Sequence, residues 1–256
     1  MASAVLSGYA VPALRVRWWD HTYVKSSDGY SWGCFGRDTA GMLLADAVSD
    51  SAVADCLAKP IQLPTIYAGI RYGLTGVCHQ AANRILYVSG ITVAKARGYG
   101  FSVATWGTYG RGIWPERDQC LKLAAAVQTP ALPKGDEPDM PSKIPPFISG
   151  DNRNTRRAEL QALVDSSLGP SYDRNKIAII ADLQEQLHQE QDKLVNQLDR
   201  QFINRRQYLE QFNAMLHRIY SQSEKVLGSQ DFEKLFGAPL NQIEHMIDPD
   251  VFLSTH

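Results

Sequence analysis

The sequence predicts an α+β fold in two domains: a mixed helix and antiparallel-sheet domain over residues 1–127 and an all-α helical-hairpin domain over 151–256, joined by a proline-rich linker at 128–150. Three observations predict it. Residues 14–24 are crowded with bulky, β-branched and aromatic side chains and run into the turn-forming Ser26-Ser27-Asp28-Gly29, the pattern of a strand ending in a turn. Six of the 13 prolines (Pro130, Pro133, Pro138, Pro141, Pro145 and Pro146) fall between 128 and 150, excluding helix and central strand alike and leaving an extended connection. Beyond them glutamine, glutamate and leucine predominate, and apolar residues recur at steps of three, four and seven.

Taken in order, the strand at 14–24 is followed by a run at 39–58 in which Met42, Leu43, Ala47, Val48, Val53, Ala54 and Leu57 recur near helical spacing, so a helix is expected until Lys59-Pro60 stops it. Residues 61–72 read as an irregular connection. A second helix starts after Gly76, with Thr75 as its N-cap, Cys78 in its first turn, and Ala81, Ala82, Arg84 and Leu86 as good helix formers. Residues 91–96 and 99–109 are rich in strand formers and flank Arg97-Gly98, which predicts a hairpin. The glycine-aromatic alternation from Trp106 to Trp114 suits either a substrate-lining loop or plain packing of aromatics about turns. In the last region Ile180, Leu183, Leu187, Leu194, Leu198 and Phe202 form the stripe of a long amphipathic helix, which Asn204-Arg205-Arg206 interrupts. Tyr208, Leu209, Phe212, Met215, Leu216, Ile219, Tyr220 and Leu227 form a second apolar face closed by Gly228, and the two helices are expected to pair antiparallel.

Composition narrows the function classes. A chain of 256 residues with 44% hydrophobic content and a net charge of −1 is neither disordered nor a nucleic-acid binder driven by overall charge. No apolar run reaches the length of a membrane span, and the first residues lack the charged and apolar regions of a secretory leader. Cysteines at 34, 56, 78 and 120 show no tight pairing pattern, so reduced thiols in a cytoplasmic compartment are expected, with Cys56 as a core filler. Residues 1–150 carry 14 basic against 11 acidic side chains and residues 151–256 carry 12 against 16, so the halves attract weakly. The helical domain is accordingly expected to dock on the first domain or on a protein partner.

The chemistry concentrates in Gly76-Val77-Cys78-His79. A thiol in the first turn of a helix meets unpaired N–H groups and the positive end of the helix dipole, which favour thiolate. The other reading is a buried small apolar filler. His79 follows directly and is rotated about 100° away on a helix, which makes an ion pair with Cys78 awkward, so His21 on the first strand is the candidate base. Cys34, in Gly33-Cys34-Phe35-Gly36, is a second glycine-flanked thiol and the alternative nucleophile. His21, Cys34, Cys78 and His79 together are a zinc alternative that lacks the usual close ligand spacing. His188, His217 and His245 show no ligand spacing and read as packed or solvated.

A histidine on an early strand followed by a Gly-x-Cys-His-x-x-Ala helix start resembles the circularly permuted branch of the papain-like cysteine peptidases and acyltransferases, which includes relatives of lecithin retinol acyltransferase. The resemblance covers residues 14–110. It implies a papain-like catalytic domain, thiolate attack by Cys78 on an acyl carbon, His21 as base, and no cofactor or metal. The family places a polar orienting residue on the strand after the histidine, and here Asp28, Ser31 and Cys34 are available. A peptide, small amide or ester is the substrate class implied. The rival from another class is a non-enzymatic interaction protein whose cysteine and histidine are structural and whose C-terminal helices contact a partner.

Overall fold

The computed structural model describes residues 3–13, 18–33, 35, 40–59, 66–112, 114, 117–127, 153–243 and 245–254. The fold is α+β. An N-terminal four-stranded antiparallel sheet with helices is followed by long C-terminal helices that pack together. The sheet runs β3(Ser31–Trp32), β2(Asp20–Ser26), β1(Ser3–Pro12), β4(Met42–Asp50). β1 pairs with β2 in the register Leu6↔Ser26 to Pro12↔Asp20, and with β4 from Ser3↔Asp50 to Ala10↔Met42 with an irregularity at Gly8/Tyr9. Residues 14–17, Cys34 and the linker expected at 128–150 lie outside the described residues.

The helix expected at 39–58 is instead a strand followed by a short helix, β4 and α1(Ser51–Ala58). The strand wins because β1 offers a full antiparallel partner, and Asp50 ends it by accepting the N–H groups of Ala52 and Val53 as the N-cap of α1. The connection expected at 61–72 contains, in its described part, a two-stranded hairpin of β5(Ile66–Tyr67) and β6(Ile70–Arg71). The hairpin expected at 91–109 is corrected too: residues 91–98 form turns, Gly98 sits at φ 77°, and α3(Tyr99–Trp106) is a helix buried along its whole length. Its small residues permit that burial, since a Cβ on Gly100 would come 2.4 Å from the Leu235 carbonyl oxygen.

α2(Cys78–Leu86) lies at the centre, every residue buried. Its apolar side, Ala81, Ala82, Ile85 and Leu86, packs with Leu6 and Ala10 of β1, Val24 of β2 and Leu44 of β4. Gln80, Asn83 and Arg84 bond to neighbouring backbone, with only Arg84 Nη2 lacking a hydrogen-bond partner among the described residues. Gln80 donates to the Gly107 carbonyl, Asn83 to that of Thr108, and Arg84 to those of Tyr109 and Ala68. This is what buried polar groups require. α4(Arg117–Val127) is tied to α1 by a disulfide between Cys56 and Cys120, which corrects the expectation of reduced thiols with Cys56 as a filler.

The helical region consists of α5(Arg153–Ser167), α6(Arg174–Asp199), α7(Arg205–Leu227), α8(Ser229–Phe236) and α9(Pro249–Leu253). α6 and α7 pair as expected, with Asn204 capping α7 by accepting the Gln207 N–H while the Gln207 side chain accepts the Asn204 N–H. The helices share one core with the first half. Leu74, Val77, Phe101 and Trp106 belong to the same cluster as Leu187, Tyr208, Phe212, Tyr220 and Phe236. Arg71 pairs with Asp199 and Arg111 with Asp192, so the charge attraction between the halves is realised on α6.

Candidate active site

The turn leading into α2 is built from hydrogen bonds that the local sequence supplies. Gly73 at φ 73° donates to the Gly76 carbonyl at 2.7 Å, and Thr75 Oγ1 accepts the Arg71 N–H at 2.9 Å. Thr75 thus closes the turn, and the N-cap is Val77, whose N–H is taken by Gln80 Oε1 at 3.0 Å. Cys78 is the first helical residue. The expected placement of the thiol at a helix start holds, one position after a different cap.

Cys78 is 7% exposed and sits against the first residues of β2. Its sulfur lies 3.7 Å from the Asp20 carbonyl oxygen, to which the thiol donates. The Asp20 carbonyl and the His21 nitrogen belong to one peptide group, so the sulfur lies within about 6 Å of the His21 backbone. Thr22 and the backbone N–H groups of Cys78 and His79 favour the thiolate, but burial outweighs them and holds the thiol above its ordinary pKa. Thr22 Oγ1 is buried with no hydrogen bond that meets ordinary distances among the described residues, and the sulfur is the group beside it. The resting side chain is therefore a neutral thiol.

His21 is fixed through one ring nitrogen. Nε2 lies 3.1 Å from the Gly33 carbonyl oxygen. A carbonyl only accepts, so Nε2 carries the proton and Nδ1 keeps the basic lone pair. Burial lowers the His21 pKa, partly offset by the Gly33 carbonyl and then by Asp248, so the ring is neutral at neutral pH. Among the described residues the polar partners of Cys78 and of His21 differ, and no hydrogen bond joins the two directly. Asp28 is engaged elsewhere, accepting from the hydroxyls of Ser26 and Ser51, and Ser31 is exposed on β3. The group orienting the ring is thus the backbone of Gly33, two residues past Ser31. A main-chain acceptor leaves no mark in side-chain identity, and sequence reasoning had no signal for it.

His79 is the residue that sequence reasoning set aside and the structure uses. It is fully buried, with Nε2 at 3.2 Å from the Asp20 carbonyl and Nδ1 at 2.9 Å from Ser102 Oγ. Nε2–H must donate to the carbonyl, while Ser102 Oγ lies 2.9 Å from both Nδ1 and the Tyr99 carbonyl oxygen and shares its one proton between these two acceptors. Burial pushes its pKa down to about 4, against the opposing pull of Asp20, and the His21 charge lowers it further. His79 is accordingly neutral, and it holds the start of β2 against α2 and α3. Trp19 stacks on it, and Asp20 is anchored to the Arg97 N–H and guanidinium at 2.8 and 2.9 Å. Trp19, Trp32 and Trp106 are core residues, and Trp18 is exposed.

Among the described residues no group of three His, Cys, Asp or Glu side chains is arranged to hold a metal ion; Cys34, the alternative nucleophile and a member of the zinc alternative, lies outside them. Compared with protein-family models, curated proteins and solved structures, the chain has no match. No helix among the described residues is long and apolar enough to cross a membrane.

Proposed function

We propose that the chain is a cysteine-dependent hydrolase of the peptidase or amidase kind, or an acyltransferase, acting on an amide or ester with Cys78 as nucleophile and His21 as base. The observation that carries this reading is the seating of the Cys78 sulfur, at the first residue of α2, on the peptide group that begins His21, whose ring is held by Nε2 with Nδ1 left basic. In the first step Nδ1 takes the thiol proton as sulfur bonds to the acyl carbon. The carbonyl π electrons move to oxygen, where the Cys78 N–H at the open end of the helix stabilises the charge. The imidazolium then returns the proton to the departing amine or alcohol. Water or a second acceptor, deprotonated by the same nitrogen, releases the acyl group and restores the thiol.

One observation favours a structural role for the same groups, as in a non-enzymatic interaction protein: burial keeps the thiol protonated at rest. Alkylation by iodoacetamide separates the two. If His21 accepts the thiol proton, replacing it with alanine lowers the rate of Cys78 modification at neutral pH. It also lowers turnover of a panel of peptide amides and aryl esters by about 10²–10⁴-fold, and Cys78→Ser abolishes it. Because the His21 pKa is lowered, activity fails on the acid side only below the ordinary histidine range, where the ring is protonated and no longer a base. Cys78 modification indifferent to His21, with no turnover of any acyl substrate, selects the structural role.

The Cys56–Cys120 disulfide favours an oxidising compartment over the cytoplasmic one expected from composition.

A further inference from the structure

A second polar cluster lies where α5, α6 and the segment after α3 meet. Arg111, Arg156, Glu185, His188, Gln189 and Asp192 line a cavity of ≈ 310 Å³. The charges are sorted by depth. The side chains of Arg111 and Arg156 are each 9% exposed, whereas their carboxylate partners Asp192 and Glu185 are 57% and 23% exposed, so the inner wall is cationic and the rim acidic. His188 is 2% exposed and lines the same space. Neither of its ring nitrogens completes a hydrogen bond among the described residues, although the ring approaches the Ala104 carbonyl, which already accepts the Gln184 amide at 2.9 Å. Arg156 is held by Nη2 on Glu185, and its buried Nε–H has no partner among the described residues.

Buried donors of this kind nearly always find an acceptor. Two guanidinium groups beside the ring disfavour a cation, and an apolar guest would leave the orphaned groups unpaired. We propose that this cavity is a binding site for a small oxyanion, a carboxylate or phosphate group, which accepts from Arg156 Nε and His188 while the Arg111 cation supplies charge. Burial and the two arginines hold the His188 pKa well below its ordinary value, so the ring is neutral and offers one N–H. The site adjoins the turn that precedes Cys78. The Arg111 N–H donates to the Thr75 carbonyl at 2.7 Å, and Gln191, which accepts from Arg111, donates to that of Leu74 at 3.1 Å. The proposal does not rest on the acyl-transfer reading.

The test titrates the full-length protein with inorganic phosphate and, separately, with acetate, following the His188 imidazole resonances and the melting temperature, with chloride at matched ionic strength as control. Saturable shifts with a rise in melting temperature are expected from one of the two, and which one responds identifies the oxyanion. His188→Phe and Arg156→Gln are each expected to weaken binding by about tenfold or more, the loss of roughly one hydrogen bond to a charged group. A response that never saturates and equals that of chloride means an adventitious ion only and overturns the proposal. So does saturable binding that survives both substitutions undiminished. Should either variant fail to fold, the wild-type His188 resonances decide alone.

Discussion

His79 adjoins the proposed nucleophile yet its ring is committed to holding backbone. The unfolded chain takes up a proton there near pH 6.5, while the folded chain does so only at about 4. Acid in that window therefore favours unfolding. The contribution is fully present above pH 6.5 and is lost as pH falls, about 3 kcal/mol between pH 7 and pH 4. His21 and His188, lowered for the same reason of burial, add to the loss. His79→Gln should be less stable at pH 7 by about 1–3 kcal/mol for the hydrogen bonds it disturbs. It should also shrink the acid loss by about 3 kcal/mol, as measured by urea unfolding at pH 7 and pH 4. An unchanged acid slope would show that the ring is not held neutral. At this scale the sequence revealed Cys78, because a glycine-bearing turn before helix formers is a local signal. The Gly33 carbonyl and the Ser102–His79–Asp20 bridge were hidden, because both depend on which strand meets which helix.

Elements were misread where local pattern and tertiary partner disagree. The apolar residues Met42, Leu43 and Val48 that suggested a helical stripe are 61%, 49% and 69% exposed on an edge strand, so their spacing recorded no buried face. In α3 the glycine, threonine and aromatic content suggested strand, but the small residues are there to let a helix approach α8 closely. The long periodic segments α6 and α7 were legible because their stripes extend over many turns and are capped at Asn204 and Gly228. The Cys56–Cys120 bond escaped notice because its partners are 64 residues apart and meet only through the packing of α1 on α4. Closing so long a loop restricts the unfolded chain, and the bond should contribute about 4 kcal/mol. A Cys56→Ser, Cys120→Ser double variant should lose about 2–5 kcal/mol in urea unfolding under non-reducing conditions. Dithiothreitol should bring the wild type down toward the same midpoint. If reductant leaves the wild-type midpoint where it was, the disulfide does not form.

Across the whole molecule, the helical region completes the core on which the proposed site rests. Trp106 stacks on Phe212 with centroids 5.9 Å apart, and Phe101 meets Tyr220 and Phe236 at 4.9 and 4.8 Å. Tyr208 donates to the Gly73 carbonyl and Gln191 to that of Leu74, so α7 and α6 both hold the turn that delivers Cys78. Removing residues 151–256 would return Leu74, Val77, Phe101 and Trp106 to water, at about 1.5–3 kcal/mol for each large side chain. It would also remove the Gln191 and Tyr208 donors that fix those carbonyls. The sum is comparable to the whole stability of an ordinary domain, about 5–15 kcal/mol. Residues 1–150 alone are therefore expected to lose cooperative unfolding, to bind a hydrophobic dye and to give a collapsed near-UV signal while keeping much of their far-UV signal. Adding the 151–256 fragment in trans should restore a sharp transition if it refolds onto the exposed face. An isolated 1–150 fragment that melts cooperatively, with dispersed amide resonances and no dye binding, would show that the first half carries a sufficient core and that the helices merely cover it.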